Sequence, residues 1–381
     1  MPFFKNKVNK TNPRFVFVLT AAYSHRGGIE KFNQQLLECW IKLFPKDEIT
    51  IIVQLDRTKE LSHLRSPKVN VIGCGNRWSI VSKIKMGSAL FKAICVNRTD
   101  HVIVGHVSWS FFVWALSKVY RFHYSLIVHG IEVFYPNCFK RRGISGAKFL
   151  WANSNYTQEQ CSNRCRYPKE KIIRFPPLAE ETKFKISSFK SSLKDKFKIS
   201  HQKVLFTVAR LDEREKYKGV DVVMQALQQL KRDDFVYIIA GSGSDLARLQ
   251  QIAKLLGVSQ SVRFVGKQDE QSLLELFQSA DIYVMPSYEG FGIVYLEALL
   301  CGVPVISGNR DGSSDPLQNG KLGFQVDRNS PAEVADAILE IEKGDDRRCQ
   351  PEWLRSETVR VFGQEKYTER IKVMRSISLE N

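Results

Sequence analysis

Strand-like and helix-like segments alternate along the whole chain, and this alternation restricts the possible folds more than any other feature. Short apolar runs suited to buried strands recur in both halves. They cover 15–21, 50–55, 101–105, 124–130 and 148–153, and then 203–209, 235–241, 261–266, 281–286 and 303–308. Segments with helical periodicity lie between them, such as 29–43, 79–95 and 218–231. The pattern is typical of parallel sheets with helices on both faces.

The length predicts two such domains, since 381 residues suffice for two ordinary domains. We expect an α/β fold with two doubly wound, Rossmann-like domains that face each other across a cleft. The boundary is placed at the Lys- and Ser-rich segment 182–202, and 352–377 is predicted to form one amphipathic helix. The predicted units are an N-terminal domain over 1–181, a C-terminal domain over 182–360, and a terminal segment 361–381 that packs on the N-terminal domain.

The net positive charge of the chain comes entirely from its N-terminal half. Residues 1–180 contain 28 Lys and Arg against 11 Asp and Glu, whereas residues 181–381 contain 29 of each. Nucleic acid, an anionic lipid surface or an anionic substrate would each explain such an excess. No element with the residue pattern of nucleic-acid readers is evident, so we expect no nucleic-acid partner. A non-enzymatic nucleic-acid-binding protein remains an alternative interpretation, because the pI is about 9.5.

Apolar stretches and cysteines give no sign of a membrane span or a metal site. The longest apolar stretch, 102–117, is interrupted by polar residues and falls short of the roughly 20 residues that a span requires. The N-terminus lacks a signal-peptide pattern. The eight cysteines have no metal-like spacing, and no Asp-x-Asp motif occurs. We therefore expect a cytoplasmic protein with no bound metal.

Cations and glycines follow the predicted strands of the C-terminal half. Arg210 follows the run 203–209, and Lys218 with Gly219 opens the next helix. Two fixed cations and the free N–H groups of a helix start suit a diphosphate. Gly241 and Gly243 follow the next strand, where they would allow a ligand to approach the backbone closely.

The segment 281–308 is the most informative. A predicted strand ends at Pro286, Glu289 follows in the loop, and Glu297 lies eight residues later in the next helix. The backbone N–H groups of Phe291–Ile293 open that helix. Carboxylates bind pairs of hydroxyl groups, whereas a helix start and two cations bind phosphate. A ligand that has both features is a nucleotide-sugar.

This segment resembles the Glu-x7-Glu motif of family-four (GT4) retaining glycosyltransferases with the GT-B fold. Further resemblances cover nearly the whole chain: HRGGIEKFN, VHGIEVF, VARLDEREKYKGVD, AGSGSDLARL, VRFVGKQDEQSLLELFQSADIYVMPS and NRDGSSDPLQNGKLGFQVD. One departure is that Glu213 to Tyr217 lengthen the spacing between the Arg and the Lys. Lys216 therefore competes with Lys218 for the diphosphate role, and Lys218 is favoured because it precedes Gly219.

The resemblance implies a role for each site residue. Arg210 and Lys218 would hold the diphosphate, Glu297 the ribose, and Glu289 the transferred sugar. His129 would contact the sugar near the reacting carbon, and the base pocket would lie near Phe264–Lys267. The expected catalytic residues are His129, Arg210, Lys218 and Glu289. The expected donor-binding residues are Gly27, Gly28, Arg210, Lys218, Gly241, Val265, Glu289, Gly290, Phe291, Gly292, Ile293 and Glu297.

The implied reaction is retaining transfer of a hexose, of mannose or glucose type, from a nucleotide-diphosphate sugar. The expected acceptor is a lipid-linked or lipopolysaccharide-type glycan, and the base (GDP or UDP) stays open. We predict that no cofactor is required, because Arg210, Lys218 and helix N-termini would stabilise the leaving group. A nucleotide-sugar epimerase on the same fold is the alternative enzyme.

A basic, partly apolar segment of the N-terminal half predicts contact with an anionic membrane. It contains Arg77, Trp78, Ile80, Lys83, Ile84, Lys85, Phe91 and Lys92, and Lys140, Arg141 and Arg142 form a second basic cluster. An ordinary amphipathic core helix is the alternative interpretation of the first segment. We expect the acceptor to bind the N-terminal domain and the protein to lie peripherally at the inner face of the cell membrane.

Overall fold

The computed structural model describes residues 12–24, 27–95, 99–187 and 203–380. Most of the predicted linker, 188–202, lies outside the described residues. The chain divides into two compact units. Unit 1 comprises Met1–Leu178 and Glu365–Asn381, and unit 2 comprises Ala179–Gln364.

Unit 1, in its described part, contains a parallel sheet of seven strands in the order β3-β2-β1-β4-β5-β6-β7. The strands are β1 Arg14–Leu19, β2 Glu48–Val53, β3 Val69–Gly73, β4 His101–Val104, β5 His123–Val128, β6 Leu150–Ala152 and β7 Ile172–Arg174. The strand order reverses between β1 and β4, which opens a crevice at their carboxyl ends.

The helices of unit 1 cover both faces of this sheet, as the continuous apolar runs of its strands require. They are α1 Gly28–Leu43, α2 Ser79–Cys95, α3 Ser110–Tyr120, α4 Ile131–Phe134, α5 Cys138–Ser145 and α6 Asn155–Cys165. The bounds of α1 and α2 agree with the predicted helices 29–43 and 79–95 to within one residue. The edge strands β3 and β7 were missed by the sequence analysis.

Unit 2 repeats the design with six parallel strands in the order β10-β9-β8-β11-β12-β13. The strands are β8 Lys203–Val208, β9 Phe235–Ala240, β10 Val262–Gly266, β11 Ile282–Met285, β12 Val305–Gly308 and β13 Phe324–Val326. The helices are α7 Val220–Leu230, α8 Leu246–Leu255, α9 Glu270–Ser279, α10 Ile293–Leu300, α11 Pro331–Lys343 and α12 Pro351–Phe362. The reversal here lies between β8 and β11. The prediction of two doubly wound parallel sheets is therefore confirmed.

The predicted single helix 352–377 is wrong, because Gly363 divides it into α12 and α13, which spans Gln364–Leu379. The backbone of Gly363 is extended, and a Cβ there would lie 2.4 Å from a carboxylate oxygen of Glu181. The chain passes from unit 2 to unit 1 at this break. Tyr367, Ile371 and Met374 of α13 belong to the core of unit 1.

Across the described residues, the structure contains no helix with the length and apolar character needed to cross a membrane.

We expect Tyr367→Ala to lower the free energy of unfolding of unit 1 by about 3–5 kcal/mol, because it leaves a large cavity. The ring is fully buried and lies 5.3 Å from the ring of Phe175. Tyr367→Phe is the matched control. The buried hydroxyl has no hydrogen-bond partner among the described residues, so its removal should cost under about 1 kcal/mol. Urea unfolding measures both values, and an equal loss in the two variants would contradict the packing argument.

Candidate active site

The candidate site of unit 2 lies at the carboxyl ends of β8 and β11, where the strand order reverses. The segment that leaves β8 is held by the segment that leaves β9. A Cβ on Gly241, whose φ is +140°, would lie 1.8 Å from the carbonyl oxygen of Ala209, and a Cβ on Gly243 would lie 2.0 Å from that of Leu211. Only glycine fits such contacts. The close approach that these glycines allow is thus to residues 209–211, which carry Arg210.

Arg210 leaves the sheet at this edge with an accessible guanidinium group. Its Nη1 lies 3.1 Å from Oε1 of Glu215, and 66% of its side chain is exposed. Glu215 belongs to a 3-10 turn, Glu213–Lys218, which the longer Arg–Lys spacing forms. Because the Arg210 side chain is largely exposed, an anionic ligand can reach its guanidinium group.

Lys218 forms an ion pair with Oε1 of Glu289, and both side chains are mostly buried. Lys216 lies exposed on the same turn. The pair depends on Gly219, whose φ is +71° and whose Cβ, if present, would lie 2.5 Å from the carbonyl oxygen of Pro286. This contact brings the loop after β8 against the loop after β11.

Glu289 is fixed through its side chain and its backbone. Oε1 accepts a hydrogen bond from Ser287 Oγ at 2.9 Å, and the Ser287 hydroxyl in turn lies 3.3 Å from the hydroxyl of Tyr295. The backbone N–H of Glu289 donates to Oδ2 of Asp311 at 2.8 Å. Oε2 of Glu289 has no hydrogen-bond partner in the described part of the chain. It is therefore an acceptor that a ligand hydroxyl can use.

Burial and charge act in opposite directions on Lys218. Burial lowers its pKa, but the carboxylate of Glu289 raises it further, so the net pKa lies above the ordinary value for lysine. Lys218 is thus a permanent cation at neutral pH. A buried cation with one carboxylate partner can also bind a phosphate oxygen by a charge-assisted hydrogen bond.

The start of α10 supplies backbone donors beside this pair. Gly292 precedes the helix with φ +87° and no side chain caps its first turn. Phe291 is buried against the ring of Phe362, at 5.8 Å, which anchors the loop. The N–H groups of Ile293 and its neighbour begin the helix without intrahelical partners. Glu297 lies half-buried on the second turn of α10.

The end of β10 contains Val265, at the predicted base pocket. The carbonyl oxygen of Val265 accepts a hydrogen bond from Gln268 Nε2 at 2.5 Å. The backbone N–H of Gly241 donates to the carbonyl oxygen of Gly266 at 2.8 Å. The end of β10 and the turn at Gly241 are therefore joined at the same edge of the sheet as Arg210.

Sequence reasoning missed Ser287 and Asp311, which hold Glu289. Asp311 follows β12, and its Oδ1 accepts the backbone N–H of Ser313 at 2.8 Å. An Asp before Gly-Ser-Ser is a signal for such a local cap. Nothing in the sequence links that cap to Glu289, 22 residues earlier.

His129 directly follows β5 in unit 1. Its Nε2 donates to the carbonyl oxygen of Gly105 at 2.9 Å, and the ring of Phe32 contacts the imidazole edge-on at 5.0 Å. Burial lowers the pKa of His129 and outweighs the opposing effect of Glu132. The imidazole is therefore neutral, with the proton on Nε2 and a lone pair on Nδ1.

Gly27 and Gly28 lie at the start of α1 in unit 1. Gly27 has an extended backbone and provides no side-chain cap. A Cβ on Gly27 would lie 2.5 Å from Oε2 of Glu30, so this carboxylate occupies the space above the first helical turn. The site residues of unit 1 and those of unit 2 form two separate groups, each at the carboxyl edge of its own sheet.

Comparison with known proteins assigns the part of the chain that contains the unit 2 site residues to a family. Residues 189–352 match the model of glycosyl transferases group 1. This part of the chain is a group 1 glycosyl transferase domain. The resemblance predicted from the sequence is thereby confirmed, and Arg210, Lys218, Glu289 and Glu297 all lie inside the group 1 domain.

Two relatives match about half of this chain. The chain is 33% identical to D-inositol 3-phosphate glycosyltransferase of Corynebacterium jeikeium over 186 residues. The match covers 45% of this chain and 44% of the relative. The chain is 31% identical over 212 residues to a GDP-mannose-dependent alpha-(1-6)-phosphatidylinositol monomannoside mannosyltransferase of Mycobacterium tuberculosis, covering 53% and 54%. The chain thus spans about half the length of these relatives.

Solved structures share the fold of nearly the whole chain. The crystal structure of Anabaena HepE in complex with UDP has a TM-score of 0.79 at 18% identity, covering 95% of this chain and 99% of that one. A glycosyltransferase from Rickettsia africae ESF-5 has a TM-score of 0.78 at 17% identity, covering 97% and 99%. The predicted GT-B fold class is confirmed.

We expect Glu289→Gln to lower the pKa of Lys218, because burial then acts without the opposing carboxylate. In the wild type the raised pKa means that Lys218 stabilises the fold at every pH below the ordinary lysine value. That contribution is lost only as the pH rises through the raised value. NMR titration of the 13Cε signal of Lys218 measures the change. Glu213→Gln, on the same turn, is the control, and an unchanged pKa in Glu289→Gln would disprove the pairing.

Proposed function

We propose that this protein is a retaining glycosyltransferase that transfers a hexose, of mannose or glucose type, from a nucleotide-diphosphate sugar. The acceptor in this proposal is a lipid-linked or cell-surface glycan of polysaccharide or lipopolysaccharide biosynthesis. The observation that carries the proposal is the buried Lys218–Glu289 pair inside the group 1 domain. It places a cation for phosphate beside a carboxylate oxygen, Oε2, that has no partner among the described residues. Retention follows from the resemblance to family-four enzymes.

The chemistry of the transfer requires that the diphosphate leave with its growing charge stabilised. Lys218, Arg210 and the first N–H groups of α10 supply that stabilisation in the proposed enzyme, without a metal. Oε2 of Glu289 would accept a hydroxyl group of the transferred sugar. Glu297 would bind the ribose, and Nδ1 of His129 would accept a sugar hydroxyl.

The donor is proposed by class. One relative is named as GDP-mannose-dependent, and the structure of Anabaena HepE has been solved with UDP-glucose. Both names describe nucleotide-diphosphate hexoses, which have the phosphate and hydroxyl groups that Lys218 and Glu289 would bind in this proposal. The first experiment therefore compares GDP and UDP.

We expect Lys218→Ala to weaken binding of the preferred nucleoside diphosphate by about 10–100-fold, since it removes a charge-assisted hydrogen bond. Calorimetric titration with UDP and GDP in the presence of EDTA measures the dissociation constants. Lys216→Ala, which removes the exposed cation of the same turn, is the control and should change binding less than about twofold. Loss of binding on chelation, or an equal effect of the two variants, would count against the proposal.

The outer surface of α2 supports a peripheral position at the inner face of the cell membrane. The helix buries Met86, Leu90 and Ile94 against unit 1. Its apolar residues on the other side stay exposed: Ile80 by 69%, Ile84 by 67% and Phe91 by 47%, with Trp78 just before the helix at 67%. Lys83, Lys85 and Lys92 are exposed beside them. Such a mixture of apolar and basic side chains favours an anionic lipid surface.

We expect the double variant Ile80→Glu, Ile84→Glu to reduce partitioning onto anionic vesicles at least about tenfold. The variant removes two apolar side chains and adds two negative charges, which anionic lipid repels. Co-sedimentation with phosphatidylcholine vesicles, with and without phosphatidylglycerol, measures the partitioning at low salt. Leu255→Glu is the matched control, since Leu255 is 77% exposed but lies in unit 2. Equal partitioning of the wild type onto both vesicle types would refute the membrane proposal.

A further inference from the structure

We propose that Asp311 is a positioning residue, which holds the backbone of Glu289 so that Oε2 of the Glu289 carboxylate meets the transferred sugar. This inference rests on the proposed function, because it assigns to Glu289 the contact with the donor sugar.

Both backbone groups of Glu289 are bonded to one short segment. Its N–H donates to Oδ2 of Asp311 at 2.8 Å, and its carbonyl oxygen accepts from the N–H of Gly312 at 3.0 Å. Asp311 is 5% exposed, so water cannot replace either contact readily. Asp311 and Gly312 therefore hold both polar groups of the Glu289 backbone.

The loops that follow β11 and β12 lie in close backbone contact. A Cβ on Gly312 would lie 2.1 Å from the carbonyl oxygen of Gly290, and a Cβ on Gly308 would lie 2.5 Å from that of Ser287. The loop after β11 therefore rests directly on the loop after β12. Asp311 supplies the hydrogen bond that joins the two loops at the residue with the ligand-facing carboxylate.

The side chain of Glu289 needs this support because only one of its oxygens has partners in the described structure. Oε1 is bonded to Lys218 and to Ser287, whereas Oε2 is left for a ligand. A rotation of the backbone at Glu289 would turn Oε2 away while the ion pair with Lys218 could persist. Loss of Asp311 should thus impair sugar binding and spare diphosphate binding.

Acidification should have the same effect as loss of Asp311. Burial raises the pKa of Asp311 to about 6, and the nearby Glu289 carboxylate acts in the same direction against the hydrogen bonds from Ser313 and Glu289. The titratable groups beside it in the described structure are Glu289, whose partner is Lys218, and the neutral, buried hydroxyl of Tyr295 on α10. As the pH falls through about 6, one of the two accepting oxygens is protonated and one N–H loses its acceptor.

The test compares the dissociation constants of a nucleoside diphosphate and its sugar conjugate: UDP with UDP-glucose, and GDP with GDP-mannose. We expect Asp311→Ala to weaken binding of the sugar conjugate at least about tenfold and binding of the diphosphate less than about twofold. This difference fits the loss of one hydrogen bond to a charged acceptor. Asp346→Ala is the matched control, because Asp346 caps Arg348 N–H at 2.7 Å on another 3-10 turn. An equal effect of Asp311→Ala on both ligands, or no effect, overturns the proposal.

Asp311→Asn keeps the shape of the side chain and provides a second test if the alanine variant does not fold. The amide retains one acceptor oxygen and does not titrate between pH 5 and pH 7.5. We expect its affinity for the conjugate to be roughly constant over this range, whereas that of the wild type falls as the pH drops through about 6. An identical pH profile in both proteins overturns the proposal.

A double-variant cycle separates positioning from general stability. If Asp311 acts through Glu289, then the double variant Glu289→Gln, Asp311→Ala should bind the sugar conjugate only slightly more weakly than Glu289→Gln alone. Additive losses overturn the proposal. A wild type that binds neither diphosphate nor conjugate would remove the proposed function itself, whereas normal diphosphate binding with no selective loss removes only the role of Asp311.

Discussion

The backbone of Gly219 lies against the carbonyl group of Pro286, closer than any side chain would permit. This contact joins the loops that follow β8 and β11, the two strands between which the order of the sheet reverses. It places Lys218 beside Glu289 and so brings a buried cation and a carboxylate together. Ser287, Asp311 and the start of α10 then fix the geometry of that pair. This left-handed glycine lets the two loops meet, and the N–H of Tyr288 donates to the carbonyl oxygen of Tyr217 across the same contact at 3.2 Å.

Sequence periodicity predicted the architecture well, because parallel strands buried on both faces are continuous apolar runs. The bounds of α1 and α2 and the loop position of Glu289 follow from patterns within about ten residues. The short edge strands β3 and β7 were missed, since five and three residues give too little pattern to distinguish them from loops. The break at Gly363 was missed because it depends on Glu181, which is distant in the sequence.

The candidate site shows the same division between local and long-range information. Arg210 and Glu289 could be selected because each follows a predicted strand, Lys218 because it opens a helix, and Glu297 because it lies eight residues after Glu289. The partner of Glu289 could not be, because Asp311 is joined to it by folding rather than by spacing. Gly241 and Gly243 were expected to admit a ligand, and the structure shows that they also bring residues 209–211 into close contact. A glycine in a turn indicates a close approach but does not identify what approaches.

The return of the chain to its first unit affects how the protein is made. Residues of α13, which begins at Gln364, supply Tyr367, Ile371 and Met374 to the core of unit 1. During synthesis the ribosome releases the strands of unit 1 long before it releases this helix. Unit 2 is complete as soon as α12 has emerged, so it can fold while unit 1 still lacks part of its core. The N-terminal unit, although translated first, therefore completes its core only after α13 has emerged.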